Sequence, residues 1–397
     1  MSGTAIQSLP ASQTRRLNET LSGLAPSAIR EFFDLVAASS DIISLGVGEP
    51  DFVTPWGVRE HAIYKLEHGA TTYTSNRGLP ELRREIARYL EERFDVSYDP
   101  DTEILITVGV SQGLDIAMRA LCNAGDEVIY YEPCYVAYRP MIALAGATPV
   151  CLSLRPETGF HPDFDELEAA ITPRTKAILV NYPGNPTGAT FTAEECRRFA
   201  EIAARHDLTL VSDEVYAELT YDQEHVAMPT QPGAEERTLL LSGFSKAFAM
   251  TGWRLGYAAG PADIIALMTK CFQYSMLSAP ILSQHAGAEA LRRRHSDVPG
   301  MTDSYNQRRR LIVEGLREAG LDCHMPEGAF YAFPSIKKTG LTSREFGKRL
   351  LDEERVAIVP GSGFGAIGEG YMRCCYAVSV EEIELAVAAI GRFLKRL

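Results

Sequence analysis

The segment from residue 103 to residue 212 alternates between short apolar runs and amphipathic stretches, and this alternation restricts the fold more than any other feature. The apolar runs lie at 104–108, 128–131, 149–154, 177–181 and 208–212. A strand with one face in water alternates apolar and polar residues, whereas a continuous apolar strand is covered on both faces. The pattern therefore predicts repeated βα units that form a mostly parallel sheet wrapped by helices.

The remaining elements follow from the same kind of reasoning. Helices are predicted between the strands, at 112–121, 135–145, 164–171 and 193–206. After about residue 262 the chain changes character, with helices predicted at 263–271, 280–293, 305–319 and 381–397 and short strands at 328–333, 357–359 and 371–376. A helix at 26–38 and a strand at 42–48 are predicted near the start of the sequence.

These patterns predict an α/β protein with two domains. The large domain covers residues 49–285 and holds the mostly parallel sheet, and a smaller α+β domain combines residues 1–48 with 286–397. No low-complexity linker separates them, so we expect an extensive interface with a ligand-binding cleft.

Charge and cysteine usage exclude several classes of partner. The chain of 397 residues has 39 basic and 52 acidic residues and a net charge of −13, so nucleic acid and anionic lipid would repel it. Its arginine clusters at 292–294 and 308–310 fit a solvated helix face. No apolar run approaches the length of a membrane span. The eight cysteines form neither a zinc pattern nor a disulfide framework, and we expect no metal and a reducing, cytoplasmic setting.

Polar residues that follow the predicted strands are the candidates for chemistry, because ligands collect at the carboxyl ends of parallel strands. Lys246 follows an apolar run at 238–241, and burial there would lower its pKa and make the amine a nucleophile. The ordinary alternative is a surface lysine in a loop. Asp213 follows the strand at 208–212, where an acid could simply cap a turn. Val110 and Ser111 open a helix whose free N–H groups could hold a phosphate.

Arg373 is a charge inside the predicted strand at 371–376. A buried arginine without a partner is costly, so an internal ion pair with a carboxylate is the first expectation.

Three longer motifs point to one family. The string Ser-Lys-Ala-Phe-Ala-Met-Thr-Gly-Trp-Arg begins at Ser245, Asn-Tyr-Pro-Gly-Asn-Pro-Thr-Gly begins at Asn181, and Gly-Glu-Pro-Asp-Phe begins at Gly48. Together they resemble the class I and II aminotransferases of fold type I, which use pyridoxal 5′-phosphate. The resemblance extends over most of the chain and implies the fold-type I architecture of that family.

The resemblance implies a role for each matching residue. Lys246, Asp213 and Tyr216 would be catalytic: the lysine forms an aldimine with the cofactor and moves the Cα proton, the acid keeps the ring nitrogen protonated, and the tyrosine shares the phenolic oxygen with Asn185. Further residues would bind cofactor or substrate. For the cofactor these are Val110, Ser111, Tyr135, Arg254 and either Ser242 or Ser245. For the substrate they are Gly48, Asn185, Arg373 and Ile29.

Two positions qualify that resemblance. Many relatives carry serine three residues before the lysine, whereas this chain has Gly243, so the phosphate hydroxyl is open between Ser242 and Ser245. Tyr73 matches a tyrosine that reaches the phosphate of the neighbouring subunit, which implies a homodimer with shared active sites.

The implied activity is amino-group transfer from an L-amino acid to a 2-oxo acid such as 2-oxoglutarate, a reaction of amino acid metabolism. Ile29 and Ser111 stand where the aspartate-selective branch tends to have threonine and lysine, which favours an aromatic or apolar donor. Alternatives are an aspartate- or N-acyl-diamino-acid-directed transferase, a cysteine-conjugate β-lyase and a non-catalytic sensor module. The sensor is disfavoured because only about forty residues precede Gly48.

One motif argues for a different cofactor. Residues 363–368 read Gly-Phe-Gly-Ala-Ile-Gly and satisfy the dinucleotide pattern Gly-x-Gly-x-x-Gly. That pattern needs a helix directly after it to present its N-terminus to pyrophosphate. A strand is predicted there instead, so we expect no dinucleotide site.

Overall fold

The computed structural model describes residues 17–24 and 41–397, so the helix predicted at 26–38 lies outside the described residues. The strands are β1 Ile43–Ser44, β2 Ile104–Thr107, β3 Glu127–Glu132, β4 Thr148–Ser153, β5 Thr175–Asn181, β6 Thr209–Asp213, β7 Thr238–Gly243, β8 Gly256–Ala259, β9 Tyr331–Ala332, β10 Val356–Ala357, β11 Val359–Pro360 and β12 Met372–Cys375. The strands predicted between 104 and 212 are confirmed, with ends that shift by one or two residues.

The helices occupy the segments between and around these strands. They are α1 Glu19–Gly23, α2 Trp56–Glu67, α3 Pro80–Phe94, α4 Gly109–Leu121, α5 Tyr138–Leu144, α6 Phe164–Ala170, α7 Ala193–Arg205, α8 Ala262–Ser275, α9 Ile281–Arg292, α10 Arg294–Glu318, α11 Ser343–Glu354 and α12 Val380–Leu394. Capping boxes begin α7, α11 and α12, with a threonine or serine and a glutamate satisfying free N–H groups.

Two predicted helix starts are wrong. Helix α5 begins at Tyr138, so Tyr135 lies in the preceding loop, and α10 begins at Arg294, well before the predicted residue 305. Pro299 argues against an early start of α10, but it lies in the second turn. There the missing N–H deprives only the His295 carbonyl of a helical donor, and the long helix tolerates that loss.

The central sheet has seven strands in the order β2-β8-β7-β6-β5-β3-β4. Strand β8 runs antiparallel to β2 and β7, and the other neighbours pair in parallel, which confirms the mostly parallel α/β fold. The expectation that every strand is covered on both faces is wrong for β4. That strand forms the sheet edge, and its Thr148 and Cys151 are exposed.

Two small sheets follow. Strands β1 and β10 pair in parallel, and β12 lies between β11 and β9 in an antiparallel sheet, which places Arg373 in its centre. The predicted division after residue 285 remains a prediction. Because that position falls inside helix α9, we propose that the change of domain lies at Arg293, between α9 and α10. One apolar core includes Phe244 beside β7 and Ile312 of α10, so it is shared across this division.

Two further observations concern the described residues as a whole. All eight cysteines are free thiols. Among residues 17–24 and 41–397, no helix combines the length and apolar composition needed to cross a membrane.

Candidate active site

A cavity of about 740 Å³ opens where the carboxyl ends of the parallel strands face the small antiparallel sheet. Most residues predicted from the sequence as site residues line it together. They are Gly48, Val110, Ser111, Tyr135, Asn185, Asp213, Tyr216, Ser245, Lys246, Arg254 and Arg373. The parallel register explains this convergence, because Asn181 of β5 stands beside Asp213 of β6 and the next strand, β7, leads into Lys246.

Lys246 presents its amine inside the cavity. Its Nζ donates to the carbonyl oxygen of Gly48 at 2.7 Å and lies 5.7 Å from the ring centroids of Tyr216 and Phe330. Loss of water on burial is the main cause that lowers the pKa of this lysine to about 8. A substantial fraction of the amine is therefore neutral near physiological pH, as a nucleophile toward a carbonyl requires.

Asp213 ends strand β6 and is 5% exposed. Its Oδ2 accepts from the Tyr138 hydroxyl at 2.7 Å, and its Oδ1 accepts from the Val215 N–H at 3.3 Å. Burial is the largest cause that raises the pKa of the carboxyl to about 6. No arginine or lysine forms a salt bridge with it among the described residues, so the carboxylate is poised to receive a protonated ligand nitrogen.

Asn185 and Tyr216 lie on the neighbouring wall of the cavity. The amide oxygen of Asn185 accepts from Arg373 Nη1 at 3.0 Å, which directs the amide N–H groups to other acceptors. The Tyr216 hydroxyl is 2.8 Å from the hydroxyl of Tyr331. Asn185 therefore keeps its amide N–H groups for another acceptor, and Tyr216 can donate its O–H to a ligand when Tyr331 is the donor between the two hydroxyls.

The part of the cavity lined by the start of helix α4 and by Arg254 suits a phosphate group. Helix α4 begins at Gly109 without a side-chain cap, so the N–H groups of its first turn, including Val110 and Ser111, point to the cavity end. Arg254 lies against this turn, since a Cβ atom on Gly109 would come within 2.8 Å of Arg254 Nη2. A helix N-terminus beside an arginine is a favourable anion site.

The structure separates the two candidate serines. Ser245 lines the cavity, whereas the Ser242 hydroxyl lies outside its lining and donates to the Glu214 carbonyl at 3.3 Å, so Ser245 is the better-placed candidate and the phosphate hydroxyl stays a prediction. Packing explains the glycine between them. A Cβ atom on Gly243 would come within 2.9 Å of Gly256 Cα, so serine would not fit there.

Arg373 departs from the expected ion pair. Its guanidinium donates to Asn185 Oδ1 at 3.0 Å and to the Gly46 carbonyl at 2.7 Å, and its Nε has no hydrogen-bond partner among the described residues. The side chain is only 3% exposed, yet the described residues include no carboxylate in a salt bridge with it. A buried guanidinium with unused N–H groups fits an external carboxylate that arrives in bidentate geometry.

One predicted residue lies elsewhere and another is not described. Tyr73 is 84% exposed and lies outside the cavity lining, and Ile29 falls outside the described residues. Gly48 is in the cavity, but its carbonyl binds Lys246, while the carbonyl of Gly46 is the one that contacts Arg373.

Several cavity residues were missed by the sequence analysis, and three of them carry polar side chains that matter for the site. They are Glu49, Tyr138 and Tyr331. Tyr138 stands three positions after the predicted Tyr135, and Tyr331 lies inside the predicted strand at 328–333, so each carried a positional signal. An isolated tyrosine is more often a core residue, however, and only the fold shows which ones reach the cavity.

The donor set fits pyridoxal phosphate. It combines a buried acid for a ring nitrogen, donors for a phenolic oxygen, an anion site at a helix N-terminus and an amine of lowered pKa. The dinucleotide motif at 363–368 has no such match. Two short 3₁₀ turns, Gly361–Phe364 and Ala366–Gly368, occupy it and lead into β12, which confirms that no α-helix follows it.

The lysine pKa gives a testable pH dependence. Only the neutral amine attacks an aldehyde, so the second-order rate of pyridoxal phosphate capture by the apoprotein should rise about tenfold per pH unit below the pKa and level off above it. With the pKa of Lys246 at about 8, the midpoint of the rise should lie near pH 8 rather than near the ordinary lysine value. Stopped-flow absorbance measures the rate, and a midpoint near pH 10 would contradict the assignment.

Comparison with known proteins agrees with this site. The family described as "Aminotransferase class I and II" matches residues 40–390. The protein YugH of Bacillus subtilis is 52% identical over 96% of this chain and 99% of its own length. The aspartate aminotransferase of Pyrococcus abyssi is 42% identical over 96% of this chain and 98% of its own.

A solved structure shares the architecture. The aromatic aminotransferase from Pyrococcus horikoshii superposes with a TM-score of 0.88 at 42% identity, covering 93% of this chain and 99% of that one. Family match, sequence identity and fold agree over nearly the whole sequence. The chain is therefore an enzyme of the class I and II aminotransferase family.

Proposed function

We propose that this aminotransferase uses pyridoxal phosphate to move the amino group of an aromatic or otherwise apolar L-amino acid to a 2-oxo acid. The cofactor, when bound, draws electrons away from the Cα bond of the amino acid. Asp213 would hold its ring nitrogen, Asn185 and Tyr216 its phenolic oxygen, and Arg254, Ser245 and the first turn of α4 its phosphate.

The residues around Cα divide the remaining work. Arg373 would bind the α-carboxylate through its unused N–H groups and so orient the amino acid. Lys246 Nζ would accept the Cα proton of the substrate, hold it and then donate it again. An amine with a pKa of about 8 suits this role. The Gly48 carbonyl holds that amine at 2.7 Å.

The distribution of charge in the cavity carries the substrate proposal. Its described lining contains three cations, Lys246, Arg254 and Arg373, and each already has a role with the cofactor or the α-carboxylate. No further cation in this lining could receive a second carboxylate, and Glu49 would repel one. Val47, Val136 and Tyr135 instead offer apolar surface. These features favour a phenylalanine-like side chain over aspartate.

Relatives of this chain with similar identity are named for aspartate and for aromatic substrates, so the residues of the cavity are the stronger argument. The acceptor 2-oxoglutarate, which we also propose, has a distal carboxylate of its own. That carboxylate meets the same lack of a further cation in the described lining as aspartate does, so pyruvate is compared with 2-oxoglutarate in the test.

The substrate proposal is tested by comparing donors. The kcat/KM values for phenylalanine, alanine and aspartate should be measured with 2-oxoglutarate and with pyruvate as acceptors. We expect phenylalanine to exceed aspartate by roughly tenfold or more, since an unpaired carboxylate in the cavity costs more than 1.4 kcal/mol. A hundredfold preference for aspartate would overturn the proposal. Ammonia and pyruvate release from a cysteine conjugate without any acceptor would favour the β-lyase alternative.

We also propose that the active unit is a homodimer, with Tyr73 reaching the phosphate of the other subunit. Tyr73 and Tyr274 are each 84% exposed, and Trp56 and Tyr64 are more than half exposed. Large apolar side chains exposed in this number favour a protein contact. A monomeric mass for the cofactor-loaded protein in solution would contradict the dimer.

A further inference from the structure

Residues 361–368, called here the crossing loop, contain the glycine motif that the aminotransferase site leaves unexplained. The loop follows strand β11 and returns to strand β12, which carries Arg373. Between these strands it leaves the small sheet and contacts the end of β3 in the seven-stranded sheet. It therefore joins the arginine strand to the sheet that carries the cofactor residues.

Two backbone contacts fasten the loop to the large sheet. The Cys134 N–H donates to the Phe364 carbonyl at 3.0 Å, and the Ala366 N–H donates to Glu132 Oε2 at 3.0 Å. Glu132 is 8% exposed, and its other oxygen accepts from the Tyr130 hydroxyl at 2.8 Å. Both carboxylate oxygens are thus engaged, one by the loop and one by a residue of β3.

Gly365 makes this approach possible. Its φ is +116°, a conformation that side-chain-bearing residues rarely adopt. A Cβ atom on Gly365 would overlap the Glu132 carboxylate. A larger residue would therefore strain the backbone and displace either the loop or the Glu132 carboxylate, and either shift would break the contact between Ala366 and Glu132.

Phe364 connects the fastened loop to the active site. The side chain is 1% exposed, and its ring centroid lies 4.8 Å from the guanidinium carbon of Arg373. Tyr331 contacts the same guanidinium at 4.5 Å. Aromatic rings bind a guanidinium in preferred orientations, and these two restrict where its unused N–H groups point.

We propose that the crossing loop is a positioning device for Arg373, in which Phe364 is the positioning residue and the Glu132–Gly365 contact fixes its place. The inference rests on the proposed role of Arg373 as the binding site of the substrate carboxylate. Its consequence is specific. Disturbing the loop should weaken carboxylate binding more than cofactor binding, because Phe364 contacts Arg373, whereas no hydrogen bond of the described loop reaches Arg254, Ser245 or the first turn of α4.

The test uses the full-length, cofactor-loaded protein with the variants Phe364→Leu and Gly365→Ala. Isothermal titration with 3-phenylpropanoate, an unreactive carboxylate, measures occupancy of the Arg373 site without turnover. We expect the Kd of this probe to rise roughly five- to thirtyfold for Phe364→Leu, the range associated with loss of a desolvated cation–π contact. KM for the amino acid should rise by a similar factor, with kcat changed less.

Control variants distinguish a loss of Arg373 orientation from a general loss of folding stability. Gly340 also has a positive φ, +71°, but a Cβ atom there would meet nothing within 4 Å, so Gly340→Ala adds a methyl group at a positive-φ glycine without disturbing a contact. It should leave the Kd of 3-phenylpropanoate unchanged. Glu132→Gln keeps the side-chain shape while removing one acceptor. It replaces Gly365→Ala as the variant that weakens the contact between the loop and β3 if Gly365→Ala does not fold.

The outcomes are distinct. Unchanged probe affinity in Phe364→Leu would overturn the inference, and so would an equal loss of cofactor affinity and of the unfolding midpoint, which indicates a purely structural role. If the unaltered protein itself does not bind 3-phenylpropanoate, the proposed role of Arg373 fails instead. Probe affinity that falls while cofactor affinity stays within about twofold supports the inference.

Discussion

The Lys246→Ala variant should lose both the visible absorbance of the lysine-bound cofactor and the amino-transfer activity. The Lys246 amine lies inside the cavity, with its Nζ 2.7 Å from the Gly48 carbonyl oxygen. It is the group proposed to bond to the cofactor and to move the Cα proton. Removing a positioned acid–base group costs roughly two to four orders of magnitude, and removing the covalent attachment adds to that loss. Activity should therefore fall by roughly 10⁴-fold or more.

Spectra and stability must be measured together for this variant. We expect Lys246→Ala to bind pyridoxal phosphate noncovalently, with the absorbance of the free aldehyde, and to unfold at a temperature close to that of the unaltered protein. The variant Lys270→Ala is the matched control, because Lys270 is an exposed lysine in helix α8. If the lysine-bound absorbance persists in Lys246→Ala, another amine holds the cofactor and the assignment is wrong.

The second large effect should follow from Arg373→Lys. Lysine keeps the positive charge but loses the planar fork that binds a carboxylate through two parallel N–H groups. We expect KM for the amino acid to rise roughly a hundredfold, equivalent to the loss of about 3 kcal/mol of charge-assisted hydrogen bonding. Steady-state kinetics with phenylalanine measures the effect, and the absorbance of the bound cofactor should not change.

Arg254→Lys should have the opposite effect, with a larger change in cofactor affinity than in the KM of the amino acid. Arg254 lies against Gly109 and is the proposed phosphate ligand, so its replacement should weaken cofactor binding and leave the KM of the amino acid little changed at saturating pyridoxal phosphate. Equilibrium dialysis measures the cofactor affinity of both variants. If Arg373→Lys instead weakened the cofactor and spared the amino acid, the two arginines would have exchanged roles and the proposed orientation of the substrate would be wrong.

The sequence predicted the sheet and the cavity residues that follow its strands, because both depend on local patterns. Continuous apolar runs specify strands buried on both faces, and a parallel register necessarily brings the residues after those strands to one edge. The sequence therefore predicted that Asn185, Asp213 and Lys246 lie close together, and all three line the cavity.

The remaining features depend on contacts between distant segments. The glycine at position 243 follows from its packing against Gly256, which no local pattern encodes. The unsatisfied guanidinium of Arg373 is equally nonlocal, since its partners come from Gly46 and Asn185. Sequence spacing indicated a buried arginine, but only the fold shows that no carboxylate of the described chain pairs with it.

The shared hydrogen bond between Asn185 and Arg373 has a thermodynamic consequence. One amide accepts from Arg373 through its oxygen and would offer its N–H groups to the proposed cofactor, so the carboxylate site and the cofactor site share a residue. Linkage requires reciprocity: if bound cofactor tightens carboxylate binding, bound carboxylate must tighten cofactor binding by the same factor. A favourable coupling of this kind would make the loaded enzyme retain its cofactor better while a carboxylate ligand occupies the Arg373 site than while that site is empty.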